Sequence, residues 1–295
     1  MLNRHPVFLF LCVFGLSFLA TYLITITFFV GLLGVDNAQT VLNPNFSDPS
    51  IIVLQKYMQC FMVFGIMIVP SFIYSYLISF ATTTQHLGLV SCSFINIVFG
   101  FALMISVMPL VGYFAVINEQ MQLPAFMFSI ETKMKAMEEL AKVQTEAFLK
   151  MNTIGQLVFN VIMIGALAAI GEELLFRGVI QNELQRRYTP AIAIVLSSFI
   201  FSFFHFQFYG FVPRLLLGAV LGIVFYKSGS LYISMFLHFM NNAIQVVLYY
   251  LQQHDLSTID INQNPDVPAP LAIGSLLFTI GIVGIWQVKK AKNSV

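Results

Sequence analysis

Long apolar runs separated by short polar stretches constrain this chain more than any other feature. They cover 7–34, 52–81, 89–117, 153–177, 190–209, 213–228, 230–251 and 271–288. An apolar run of roughly 18–20 residues is long enough to cross a bilayer as a helix. Hydrocarbon offers backbone groups no partner, so each N–H and C=O must be satisfied within the protein. The chain is 58% hydrophobic and only 9% charged, against about 25% charged for soluble domains. The expected fold is therefore all-α, a polytopic membrane helix bundle. It has about eight transmembrane helices and one amphipathic interfacial helix. A net charge of +1, from 14 basic and 13 acidic residues, excludes an electrostatic nucleic-acid binder.

Four regions follow from the pattern: an N-terminal three-helix membrane region (1–123), an amphipathic helix (124–150), a membrane core carrying the chemistry (151–252), and a C-terminal loop, last span and basic tail (253–295). The first run is longer than a signal-peptide core and lacks a clear cleavage site, so it is expected to be retained. Pro70 predicts a kink in the second span. Lys56, near that span's start, is expected to snorkel toward the interface. Asn45-Phe46-Ser47 matches a glycosylation sequon, a pattern short enough to arise by chance. In 124–150, Ile130, Met134, Met137, Ala141 and Phe148 recur at helical spacing. Glu131/Lys135, Glu138/Lys142 and Glu146/Lys150 are i,i+4 pairs in the favourable order. This helix is expected on the membrane surface, with a lid over a site as the alternative. Gly218 and Gly222 form a small-xxx-small pair that allows close helix approach. Cys12, Cys60 and Cys92 lie in or beside different apolar runs, and no zinc-finger or CxxC spacing occurs.

Against this background Glu172, Glu173 and Arg177 stand out, directly after the uncharged run 154–170. An ionisable group at a helix centre in the membrane costs about 2.5–3.5 kcal/mol on insertion scales, so its default reading is functional. Glu173 and Arg177 are i,i+4 and able to pair. Glu172 points about 100° away around the helix. Two neighbouring carboxyls in different surroundings can divide acid and base roles. The alternative is a structural ion pair at a helix end. His205 ends the apolar stretch 191–204 and is either a hydrogen-bonded core histidine or a catalytic one. His238 and Asn242 are again i,i+4, and both can donate hydrogen bonds to a developing oxyanion. For Asn242, interhelical packing is the competing role.

Glu172-Glu173-x-x-x-Arg177, Phe201-x-x-x-His205 and His238-x-x-x-Asn242, in this order on separate membrane helices, resemble the CAAX protease and bacteriocin-processing (CPBP, or Abi) family of intramembrane proteases. That group includes the type II CAAX prenyl endopeptidase. The resemblance covers roughly residues 150–250. It implies hydrolysis of a peptide bond within or near the bilayer. Glu172 with His205 would activate water, His238 and Asn242 would hold the oxyanion, and Glu173 and Arg177 would support them. A metal-free mechanism is favoured, since no His-Glu-x-x-His motif is present. The alternative is a zinc site ligated by Glu172, His205 and His238, the three-ligand catalytic pattern.

The implied partners are membrane lipid and a membrane protein or lipidated peptide substrate, with no nucleic acid. The expected location is a bacterial plasma membrane. Arg4, Arg186, Arg187, Lys227 and the terminal lysines fall on one side, which places both termini in the cytoplasm. The four lysines of the amphipathic helix fall on the other side and disagree with that assignment. Two other function classes compete. One is a non-catalytic scaffold or bacteriocin self-immunity protein, which a degenerate set of polar residues would favour. The other is a transporter using Glu172 and Glu173 as a proton relay. The set is complete, and no inverted repeat is visible.

Overall fold

The computed structural model describes residues 6–34, 46, 48–258 and 266–292. Arg4, the sequon residues Asn45 and Ser47, and the side chains of Lys290 and Lys292 lie outside the described residues. The fold is all-α, with no strand among the described residues. The main helices are α1 (Pro6–Leu33), α2 (Pro49–Ile78), α3 (Phe94–Glu119), α4 (Phe128–Leu149), α5 (Ile154–Gln185), α6 (Pro190–Phe203), α7 (Phe211–Ser228), α8 (Leu231–Gln253) and α9 (Ala269–Lys292). Among the described residues, seven of these are long and apolar enough to cross a membrane: all but α4 and α6. The protein is an integral membrane protein.

Helix α6 departs from the expected span over 190–209. Its 14 residues rise only about 21 Å at 1.5 Å per residue, short of a hydrocarbon core of about 30 Å. The helix ends at Phe203 with Phe204 as its cap, and just beyond it Phe206 adopts a left-handed backbone, φ 54°. His205 therefore sits just past a helix end, not within a continuous span.

The chain divides into two compact units, each built from non-contiguous segments: 1–87, 142–179 and 239–259 form the first, and 88–141, 180–238 and 260–295 the second. In the first unit, Tyr74 of α2 is fully buried, with its ring near Phe10 and Phe14 of α1. Pro70 does not end α2; the expected irregularity takes the form of a π-helical turn, Phe64–Ile68, just before it. A proline lacks the N–H that the regular ladder needs, and a wider turn absorbs the defect. Gly65 lies in that turn, and a Cβ there would meet Thr21 Oγ1 of α1 at 2.1 Å.

Lys56 corrects its sequence reading. It does not snorkel outward but is buried, donating to Asn160 Oδ1 at 3.0 Å. Asn160 in turn donates to the Phe148 carbonyl at 2.7 Å. The ammonium also lies 5.9 Å from the Phe148 ring. A polar neighbour and an aromatic face thus replace water around a cation two turns inside α2.

The second unit has its own apolar core. Leu103 and Val107 of α3 pack with Leu221 and Val224 of α7, Leu237 of α8 and Trp286 of α9. The small residues on α7 serve close approach as expected. A Cβ on Gly218 would lie 3.2 Å from Ser198 of α6, and one on Gly222 would lie 2.7 Å from Gln181 Oε1. Gln181 is itself fully buried and donates to the Gly222 carbonyl at 3.0 Å. Helix α4 carries the expected pair, Glu131 and Lys135, at 2.7 Å. Glu138 instead accepts from the Tyr209 amide at 3.4 Å.

Candidate active-site residues

Helix α5 presents the carboxylates, and it does so irregularly. A π-helical stretch, Val161–Leu167, precedes a short α-helical one, Ala168–Glu173, and a second π-helical stretch, Leu174–Gln181, follows. Such insertions are frequent at functional sites because they re-aim side chains without breaking the helix. Glu173 and Arg177, 0% and 1% exposed, are joined by Nη1 and Oε1 at 2.7 Å. The i,i+4 pair expected from sequence is therefore formed, and fully buried. Glu172 is only half-buried. The two adjacent carboxyls thus occupy unlike surroundings.

Gly171 explains how α5 approaches α2 at this point. A Cβ on it would lie 2.6 Å from Val63 Cγ1 and 3.3 Å from Met67 Cβ. The residue immediately before the acidic pair has no room for a side chain.

Asn242 belongs to the same unit. Its Nδ2 donates to the Ile164 carbonyl of α5 at 3.2 Å, and its Oδ1 accepts from Asn241 at 3.2 Å. The packing role weighed for this residue is realised. An amide nitrogen carries two hydrogens, so a second donor remains in addition to the one given to Ile164. Beside it, a Cβ on Gly165 would touch the Phe239 ring at 3.2 Å, so α5 and α8 meet closely here.

In the second unit, His205 Nδ1 lies 2.8 Å from the Phe201 carbonyl. A carbonyl only accepts, so Nδ1 carries the proton and Nε2 is the basic nitrogen of the neutral ring. His238 is buried, 6% exposed. Phe201 lies against both imidazoles, with ring centroids 4.9 Å from His205 and 6.0 Å from His238, each edge to face. A single buried aromatic side chain therefore flanks both histidines. His238 and Asn242 lie one turn apart on the unbroken helix α8.

Within either unit, among the described residues, no three His, Cys, Asp or Glu side chains converge as a metal site. Glu172 belongs to the first unit, and His205 and His238 belong to the second. The His205 arrangement, Nδ1 on a backbone carbonyl and Nε2 turned to the other side, suits either a general base or a metal ligand.

The sequence reading missed the residues that hold this framework. Asn160 and Lys56 form a buried polar link, Gln181 joins α5 to α7, and Asn118 grips the segment after His205. Asn160 is a lone polar residue in an apolar run, whereas Lys56, Gln181 and Asn118 each have polar neighbours in sequence and carry no distinguishing signal.

The fold and these side chains define a polytopic helical membrane protein with carboxylate, imidazole and amide groups on its membrane helices. Residues 154–244 match the family model described as type II CAAX prenyl endopeptidase Rce1-like. This is the family to which the three motifs pointed, and Glu172, Glu173, Arg177, His205, His238 and Asn242 all fall within the matched interval. At the family level the match supports a membrane protease of the CAAX type. No curated protein and no solved structure matches the chain.

Proposed function

We propose that this protein is an intramembrane endopeptidase acting on a membrane-associated or lipidated protein or peptide. Glu172 and the Nε2 of His205 take a proton from water, and the resulting hydroxide attacks the peptide carbonyl. His238 and the second N–H of Asn242 donate hydrogen bonds to the oxyanion that forms. Collapse of the tetrahedral intermediate breaks the C–N bond, and the proton taken from water passes to the leaving amine. Glu173 and Arg177 hold α5 and are not consumed in the reaction.

The observation that carries this reading is the unlike treatment of the two adjacent carboxyls. Glu173 is neutralised by Arg177 in a buried pair, while Glu172 is left partly accessible. The family match, which spans every proposed residue, favours the protease over a self-immunity scaffold.

The test compares peptide termini in membranes from cells expressing wild type, Glu172→Gln and His205→Ala at matched levels. New termini present with wild type and lost in both variants would support the proposal and identify the substrate. Identical termini in all three would overturn it. Repeating the assay after chelation and zinc addition distinguishes the metal-free route from one needing zinc on Glu172, His205 and His238.

A further inference from the structure

The loop that follows His205 is held by a residue outside the interval matched by the family. Asn118, in the last turn of α3, is 3% exposed. Its Nδ2 donates to the Phe208 carbonyl at 2.9 Å and to Met121 Sδ at 3.7 Å, and its Oδ1 accepts from the Val212 amide at 2.7 Å. An asparagine side chain offers two N–H groups and one carbonyl oxygen. All three are engaged.

Of the two backbone groups gripped by Asn118, one belongs to the first residue of the turn Phe208–Gly210, which starts three residues after His205, and the other lies two residues past its end. Ser202 Oγ adds a hydrogen bond to the Phe211 carbonyl at 2.6 Å. Arg214 reaches the Gln207 side chain at 2.9 Å and also bonds its carbonyl. Between these anchors Phe206 keeps its left-handed backbone, a state that persists in a bulky residue only where the surroundings fix it. On the other side of the imidazole, Nδ1 is tied to Phe201.

We infer that Asn118 is a positioning residue for His205. It fixes the backbone beyond the imidazole, and with it the direction of Nε2, from a helix 90 residues away in sequence. The inference rests on the reading of His205 as part of the base.

The test uses the full chain in lipid nanodiscs, as wild type, Asn118→Ala and Asn118→Asp. Aspartate retains the acceptor for the Val212 amide and loses the donors. Hydrogen exchange reports the loop, and turnover is measured on the peptide whose cleavage depends on Glu172. In Asn118→Ala, exchange at 206–212 should rise at least about tenfold, while kcat falls about 10–100-fold and KM stays within about twofold. Asn118→Asp should keep the Val212 amide protected and recover part of kcat. Unchanged loop exchange, or faster exchange with unchanged kcat, would overturn the inference. So would a kcat loss that only tracks the loss of folded protein. If wild type and Glu172→Gln yield the same termini, the protease reading fails and the positioning role of Asn118 in the reaction falls with it. The exchange data would then show separately whether Asn118 holds the loop.

Discussion

In the first unit, Glu173 finds its partner four residues along its own helix, whereas in the second the loop after His205 is held by Asn118 from another helix, 90 residues away. The first device neutralises a charge and depends on helical periodicity alone. The second aligns neutral backbone groups and depends on where α3 ends against the 208–212 segment. One is local and electrostatic, and the other is long-range and geometric. The contrast suits their contents: a charge in a dry interior must be paired, while a histidine side chain needs chiefly to be aimed.

The largest effects should come from the groups assigned to water activation. Glu172→Gln and His205→Ala are each expected to reduce cleavage by about 10²–10⁴-fold, with little change in the thermal unfolding midpoint. Selective loss of activity would separate Glu172 from its buried neighbour; loss of folding would erase the contrast between them.

Next in size is the buried pair. Glu173→Leu or Arg177→Met should destabilise the fold by about 3–5 kcal/mol, because each removes one partner of a fully buried ion pair. Glu173→Leu with Arg177→Met should restore much of that stability. A thermal double-mutant cycle in detergent measures it, and strictly additive losses would remove the ion pair as the local device.

Gly171→Ala should cost about 1–3 kcal/mol, since its Cβ would stand 2.6 Å from Val63 Cγ1. Val63→Ala should relieve part of this. No loss in the single variant would mean that α2 yields easily beside the acidic pair.

The smallest effect concerns the surface of α4. Lys135, donating a hydrogen bond at 2.7 Å, holds the Glu131 carboxyl below its ordinary value, and Glu131 holds the Lys135 ammonium above its own. The Glu131 contribution is present above the ordinary carboxylate pKa and is lost as pH falls through the lowered one. The Lys135 contribution is present below the ordinary lysine pKa and is lost as pH rises through the raised one. Glu131→Gln should therefore shift the unfolding midpoint slightly at neutral pH and not at all in strong acid, as a pH series of melting curves would record.

The same contrast explains what was legible beforehand. The spans, the amphipathic helix and the Glu173–Arg177 pair follow from hydropathy and from spacings of three and four residues. The burial of Lys56 is not legible in sequence because its partner, Asn160, lies 104 residues away. The end of α6 is hidden from a sequence reading because hydropathy continues past Phe203, where the helix ends, and the left-handed Phe206 beyond it leaves no mark in hydropathy. In sequence Asn118 is one of several polar residues at a span terminus, with nothing to set it apart.

By itself, the sequence determined an all-α membrane protein and the order of its motif residues, because lipid leaves a backbone few options and a helix fixes which side chains are neighbours along it. Only the tertiary structure decided which carboxyl is buried and which is half-open, which nitrogen of His205 is basic, and what holds the loop beyond it. Those properties depend on atoms brought close from distant parts of the chain, and helical periodicity carries no information about such contacts.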